Sequence, residues 1–388
     1  MRYTGFSRIA LVHDQLNEFG GAERVLLAMS EIWPDAPIYT AFYNQNSPAW
    51  QRFKQRDVRA SWFQQLPFKE KLHSPLRFLA PLIWNSFDFR EFDLVIGSSS
   101  WFITKGFRGR ASADQDGHST TEICYCHTPP RWLYGYPTSV ELQKYWPVRV
   151  YGLVVGHVMR LYDFYAAQRV NHFIANSHNV ARRITKFYRQ PSTIIYPPVD
   201  EYPAYTGKRD DYYLVISRIV GGKGLELAVR AAIQLGLHLK IAGEPAGYST
   251  EYLTIQNLAQ SDDARTSGAQ IEFLGYVPDE KLVELYSHAR AFLALAEDED
   301  FGITPVEAMM TGTPVIAYRG GGYIESVIEG KTGVFFDKLT VAGLAEAITK
   351  FARTKSGQFN PQAIHEHAHT FGKVRFKKEL LEFVAAHT

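Results

Sequence analysis

At 388 residues the chain is too long for one ordinary hydrophobic core, and two domains are expected. Its 46% hydrophobic and 21% charged content is that of a globular protein, and a net charge of +2 calls for no bulk polyanion, so no nucleic acid partner is expected. No apolar run approaches the roughly 18 residues needed to cross a bilayer.

The opening MRYTGFSRIALVHD turns acidic after one short apolar run and does not resemble a cleaved signal, so a cytoplasmic chain is expected. IALVH (9–13) then leads to Gly20-Gly21 and the helical AERVLLAM. Backbone amides at such a pair can approach a phosphate or an acceptor closely, although a plain tight turn explains it equally well. Residues 59–92 mix Trp, Phe and Leu with Lys69, Lys71 and Arg77. Two readings fit them: a helix pair buried against the first sheet, or an interfacial contact with a membrane. DLVIGSS (93–99), EICYCH (122–127), HFIANS (172–177) and TIIYPP (193–198) complete the strand-like runs of the first half. Cys124 and Cys126 are expected on opposite faces of their strand and unbridged, in a reduced chain. A zinc site there would need two more ligands beside the adjacent His127.

Three prolines and a burst of charge in YPPVDEYPAYTGKRDD (196–211) read as a linker. Beyond it come YYLVIS (212–217), HLKIAG (238–243), IEFLGY (271–276), AFLALA (291–296), PVIAY (314–318) and GVFF (333–336). Runs without polar alternation suit strands covered on both faces, the mark of a parallel sheet between helices. Helical stripes separate them, as at Leu225, Val229, Ala232 and Ile233 and at Leu282, Leu285, Tyr286 and Ala289. In such sheets ligands bind at the loops beyond the carboxyl ends of the strands.

Two of those loops carry chemistry. In ISRIVGGKGLELAVRAA (216–232), Arg218 offers a planar fork and Lys223 a point charge, a pairing suited to a diphosphate, among Gly221, Gly222 and Gly224. After AFLALA, four acids in a row (Glu297–Asp300) precede Gly302 and Thr304-Pro305-Val306-Glu307. That tetrapeptide reads as a capping box with Thr304 as N-cap, Pro305 as the first helical residue and Glu307 reaching back. A helix start favours an anion, so the acids must address something else, and hydroxyls of a sugar or ribose are suitable donors to them. Asp298 and Asp300 also fit an Asp-x-Asp pattern for Mg2+, but two basic residues can neutralise a diphosphate without one, so no metal or other cofactor is expected.

Together SRIVGGKG, AGEPAG, EFLGYV and EDFGITPVEAMMTGTPVIAYRGGGYIESVIEGKTG, preceded by FGGAERV, HTPPRWLY and ANSHNVARRITKFY, resemble in order the motifs of the GT4 family of retaining glycosyltransferases. Within it the amino-terminal wording is most similar to the WbaZ-like mannosyltransferases. The resemblance implies a GT-B fold, an α/β architecture of two Rossmann-like, doubly wound parallel-sheet domains facing a central cleft. Residues 1–198 would bind the acceptor, 199–365 the nucleotide sugar, and 366–388 would form a helix crossing back to the first domain. It implies Ser217, Arg218 and Lys223 at the donor diphosphate, Gly302, Ile303 and Thr304 as amide donors, Glu299 at the transferred sugar and Glu307 at the ribose. Gly21 would face the diphosphate from the first domain and His127 the sugar; on the residues alone His127 reads more readily as a structural turn residue. The partners implied are a nucleotide-diphosphate sugar, with GDP-mannose first, and a glycan or polyprenyl-linked acceptor in surface polysaccharide assembly. An epimerase or hydrolase of the same fold, or a non-catalytic nucleotide-sugar-binding subunit, are the alternatives.

Overall fold

The computed structural model describes residues 8–107, 120–136, 146–245, 250–354 and 357–387. The amino-terminal seven residues and the last two residues of AGEPAG lie outside them. By their contacts the described residues separate into two compact units, one built from residues up to Tyr136, Trp146–Pro198 and the segment from Lys373, the other from Val199–Gly372.

The first unit holds a seven-stranded parallel sheet: β1 (Ile9–His13), β2 (Ile38–Thr40), β3 (Val58–Ala60), β4 (Leu94–Ser99), β5 (Thr121–Cys126), β6 (His172–Ala175) and β7 (Thr193–Ile194). Their spatial order is β3-β2-β1-β4-β5-β6-β7, so the winding reverses between β1 and β4. Both faces are buried. Leu11, Ile96, Ile123 and Ile174 pack beneath the helix Gly21–Ile32, while Ala10, Val12 and Val95 pack with Trp84, Phe102 and Met159. The carboxy-terminal helix Lys373–Ala385 also closes this unit: Phe376, Leu380 and Val384 are fully buried, Lys377 Nζ reaches Glu31 at 2.7 Å and Arg375 donates to the carbonyl of Tyr196 at 2.9 Å. Residues 366–372, expected with this helix, instead belong to the second unit, where His365 and His367 bond the carbonyls of Met310 and Ser326.

The second unit holds β8 (Tyr212–Ile216), β9 (His238–Ala242), β10 (Gln270–Gly275), β11 (Ala291–Ala294), β12 (Val315–Tyr318) and β13 (Gly333–Phe336), all parallel. Their order is β10-β9-β8-β11-β12-β13, which reverses between β8 and β11. Val215, Ile241, Leu293 and Ile316 form its core with the helices Leu225–Leu235 and Val341–Ala352.

Three sequence expectations need correction. β2 and β3 are absent from the sequence reading, because three residues are too short to show a period, and β3 is an edge strand carrying the exposed Arg59. Cys124 and Cys126 share a face, since strand side chains alternate with period two; both are buried in one cluster with Phe173 and Ala175, and neither is bridged. Finally, Thr304 is not a helix cap. The helix Ile303–Met310 starts two residues earlier behind Gly302, whose left-handed backbone (φ +89°) makes the turn.

Residues 59–92 form a string of short turns, with helical pieces at Trp62–Gln65, Lys69–Leu72, Arg77–Leu79 and Ala80–Trp84. Phe63, Ile83, Trp84 and Phe89 enter the core, whereas Trp62, Phe68, Phe78 and Leu82 are exposed.

Candidate functional site

In a doubly wound sheet, loops from strands on either side of the winding reversal diverge and leave a crevice between them. In the second unit those are the loops after β8 and β11, and they carry most of the residues singled out in the sequence.

The β8 loop begins with Ser217, whose hydroxyl donates to the Arg218 carbonyl at 2.7 Å, and Arg218 itself is exposed. Lys223 lies between Gly222 and Gly224, both left-handed (φ +82° and +73°). A Cβ on Gly224 would come within 2.7 Å of the Leu295 carbonyl, at the start of the β11 loop. Glycine here therefore lets the two loops touch. Across that contact Lys223 Nζ donates to Glu299 Oε2 at 2.8 Å. The two side chains remain 30% and 21% exposed, and an ion pair of this exposure adds only about 0.2–1 kcal/mol. Stability alone gives little reason to build it.

The β11 loop is clamped from the far side by a glycine run absent from the sequence-derived site. Gly322 N–H donates to the Glu299 carbonyl at 2.9 Å, and a Cβ on Gly321 (φ +56°) would lie 2.4 Å from that same oxygen. The signal was the string Gly320-Gly321-Gly322, legible as a close approach of backbone but not as to which backbone. Ile303 and Thr304 occupy the first helical turn, where amides have no partner within the helix. Glu307 lies deeper in that helix, 3% exposed, and accepts from the Tyr286 hydroxyl at 2.8 Å rather than reaching back to Thr304. Tyr286 read in the sequence only as one apolar position of a helical stripe.

In the first unit the reversal lies between β1 and β4, whose register sets His13 beside Ser98. Ser98 Oγ stands 2.9 Å from His13 Nδ1 and 2.8 Å from His127 Nε2, and His13 Nε2 is 3.4 Å from Glu23 Oε1. Glu23 belongs to the helix that Gly21 opens, and its other oxygen accepts from Gly20 N–H at 2.8 Å. Burial pushes the Glu23 carboxyl up, but the His13 and Gly20 hydrogen bonds outweigh it and the net shift is down. In the Nε2–H tautomer, which donates a hydrogen bond to that carboxylate, His13 presents Nδ1 as acceptor. Ser98 then donates to His13 and accepts from His127 Nε2–H, which makes Nδ1 the acceptor nitrogen of His127. His127 is only 8% exposed; its N–H donates to the Ser99 carbonyl and its own carbonyl accepts from Asn176. It is both a built-in turn residue and a member of a polarised chain.

Asp14, just beyond β1, was also missed. Its carboxylate accepts from the amides of Ser100 and Trp101 and from the hydroxyls of Ser100 and Thr104, winding the β4 loop around it. Within that loop Ile103 takes a left-handed backbone (φ +57°), costly for a β-branched residue and a form of strain that clusters at functional sites. Among the described residues no three His, Cys, Asp or Glu side chains gather as a metal site.

Known proteins share this sequence pattern and fold. The family profile "Glycosyltransferase Family 4" fits residues 19–201, and "Glycosyl transferases group 1" fits residues 201–367. D-inositol 3-phosphate glycosyltransferase of Corynebacterium efficiens is 34% identical over 129 residues, 31% of this chain and 30% of that protein. The lipopolysaccharide core biosynthesis mannosyltransferase LpcC of Rhizobium leguminosarum bv. viciae is 33% identical over 136 residues, 34% of this chain and 37% of that protein. These matches span about a third of the length of the curated relatives. The structure of Anabaena Alr3699/HepE in complex with UDP and glucose shares the fold, with a TM-score of 0.69 at 18% identity over 97% of this chain and 99% of that one. Two parallel-sheet α/β units of the GT-B type, matched nearly end to end by those two profiles, show that the chain belongs to glycosyltransferase family 4.

Proposed function

We propose that the chain is a retaining hexosyltransferase whose second unit binds a nucleotide-diphosphate sugar and whose first unit binds a glycan or polyprenyl-linked acceptor. The observation that carries this reading is the 2.8 Å Lys223–Glu299 pair astride the β8/β11 reversal. It sets an ammonium and a carboxylate side by side where a ligand with an anionic and a polyol part belongs.

As the bond from the sugar's anomeric carbon to the phosphate oxygen breaks, negative charge grows on the diphosphate. Lys223, Arg218, the Ser217 hydroxyl and the amides from Gly302 to Thr304 stabilise it, each such donor contributing about 2.7–4 kcal/mol in well-studied enzymes. Glu299 holds sugar hydroxyls or faces the positive charge developing on the ring, and Glu307, steadied by Tyr286, holds the ribose. Gly21 gives close backbone approach in the first unit, and His127 meets a sugar hydroxyl there. The acceptor oxygen bonds to the anomeric carbon on the face the phosphate leaves, and its proton passes to the departing phosphate oxygen. Double displacement would need a second carboxylate about 5 Å from a nucleophilic one. Two cationic side chains suffice for the diphosphate, so turnover is metal-independent.

Mannose from GDP-mannose is the first-choice donor, supported by the sequence resemblance and the likeness to a mannosyltransferase. The product enters a surface polysaccharide, and residues 59–92 bring the chain to the cytoplasmic face of the membrane. Incubation with a panel of nucleotide sugars, with and without lipid-linked acceptors and with chelator, tests this. Donor consumption without acceptor would mark a hydrolase or epimerase, binding without consumption a non-catalytic subunit, and loss of turnover restored by Mg2+ the Asp298/Asp300 alternative.

A further inference from the structure

Large apolar side chains left exposed are unevenly spread. Of seventeen among the described residues, eight lie on the first unit's helix Trp146–Arg169 and four more at Trp62, Phe68, Phe78 and Leu82. The remaining five, Leu253, Tyr276, Ile324, Ile328 and Val374, belong to the second unit and the carboxy-terminal helix, and so few exposed apolar side chains are ordinary for any surface.

The helix has 24 residues and so extends about 36 Å. One stripe, including Met159, Asp163 and Ala166, is buried in the unit. The opposite stripe is apolar as well: Trp146, Val150, Val154, Val158, Leu161 and Tyr165 recur at helical spacing, with Leu153 beside them at 70% exposure. Tyr151 ties this face to the 62–82 segment, since its hydroxyl donates to the Pro75 carbonyl at 2.6 Å and its ring meets Phe78 edge-on. These contacts join the two apolar stretches at Tyr151.

Its charge identifies the occupant. The only carboxylates in the two stretches are Glu70 and Asp163. Lys69 stands 3.3 Å from Glu70, and Asp163 is fully buried against Lys105. Lys71, Arg149 and Arg169 are exposed. We infer that this patch seats on an anionic lipid bilayer, with the helix Trp146–Arg169 lying in the headgroup plane. Two-fold pairing with a second copy would bring the same basic side chains together, since Asp163 lies on the buried stripe and Glu70 is already beside Lys69. An anionic bilayer answers both the apolar stripe and the basic rim. No helix of the described residues is long and apolar enough to cross a membrane, so the surface lies on the bilayer. The inference rests on the functional reading only in its use, which is to bring the acceptor-binding unit to a lipid-linked substrate.

Flotation of the full chain with phosphatidylcholine vesicles, with and without phosphatidylglycerol, tests it. The chain is expected to float with the anionic vesicles, less so in high salt, and as a monomer by light scattering. Val154→Glu with Val158→Glu lowers the vesicle-bound fraction roughly tenfold, whereas Leu253→Glu, on an exposed apolar residue of the second unit, leaves it unchanged. Brominated lipid gives a second readout that needs no charge change: it quenches the tryptophan emission of the unaltered chain, and Trp146→Phe reduces that quenching. No flotation on anionic vesicles, equal flotation of the double variant, equal quenching without Trp146, or a dimer that the double variant splits would each overturn the proposal. Nucleotide binding by equilibrium dialysis is unchanged in the double variant. Failure of the unaltered chain to bind any nucleotide would sink the donor reading and leave the flotation result standing.

Discussion

Lys223 Nζ stands 2.8 Å from Glu299 Oε2, and the two residues come from loops that leave neighbouring strands on opposite sides of the sheet's reversal. Each is the other's partner in the structure, and each has a separate task toward the proposed donor. Lys223→Ala is expected to weaken nucleoside-diphosphate binding and transfer together, whereas Glu299→Ala keeps nucleotide binding and loses turnover. Losses of about 10²–10³-fold are expected for each. Both variants should melt within a degree or two of the parent, because a single ion pair that still reaches solvent contributes little to stability. Calorimetric titration with nucleoside diphosphate beside turnover assays separates the two effects.

The glycine clamp gives a prediction that is independent of substrate. Gly321→Ala places a Cβ against the Glu299 carbonyl in a left-handed backbone. It should cost about 1–3 kcal/mol and displace Glu299, lowering turnover as well. Gly268→Ala is the control, since Gly268 is also left-handed (φ +76°) but has nothing within 4 Å. It should cost about 1 kcal/mol and leave turnover unchanged. Urea melts and assays of the two variants check this.

Tyr286→Phe removes a hydrogen bond to the buried Glu307 carboxylate. Losing a donor to a buried charged acceptor costs about 1–3 kcal/mol. Nucleotide affinity should fall more than affinity for inorganic pyrophosphate if Glu307 holds the ribose, and equally if it does not.

The Glu23–His13–Ser98–His127 chain predicts a pH signature. The folded Glu23 carboxyl lies below its ordinary value of 4.5, so its interactions add stability above that pH and lose it as pH falls through the folded value. Glu23→Gln should therefore lower stability at neutral pH by about 1–2 kcal/mol, with the gap from the parent closing in acid. Nitrogen-15 NMR of His127 should report the Nε2–H tautomer in the parent and a change on Ser98→Ala; an unaltered tautomer would show that Ser98 only fills space.

Much of the fold was legible in the sequence because strands of a parallel sheet between helices announce themselves as short apolar runs, and all six in the second unit were read as strands from such runs. What escaped had physical causes. β2 and β3 are too short to carry a period. The helix Ile303–Met310 starts at Ile303 because Gly302 can turn left-handed, which outweighed the capping signal of Thr304 and Glu307. Lys223, Glu299 and Arg218 stood out as charges beside glycines at strand ends. Asp14, Ser98 and Tyr286 did not, because their roles depend on neighbours as many as 90 residues away in the chain. The long helix Trp146–Arg169 was invisible as a surface, since apolar residues on two stripes do not show which stripe is buried.

The central claim is that the β8 and β11 loops hold a nucleotide sugar's diphosphate and sugar. A crystal structure of the chain with bound nucleoside-diphosphate hexose tests it most directly. The account predicts diphosphate oxygens within hydrogen-bond reach of Lys223 and Arg218, with Glu299 on a hexose hydroxyl and Glu307 on the ribose. A nucleotide bound away from all four of these residues would contradict it.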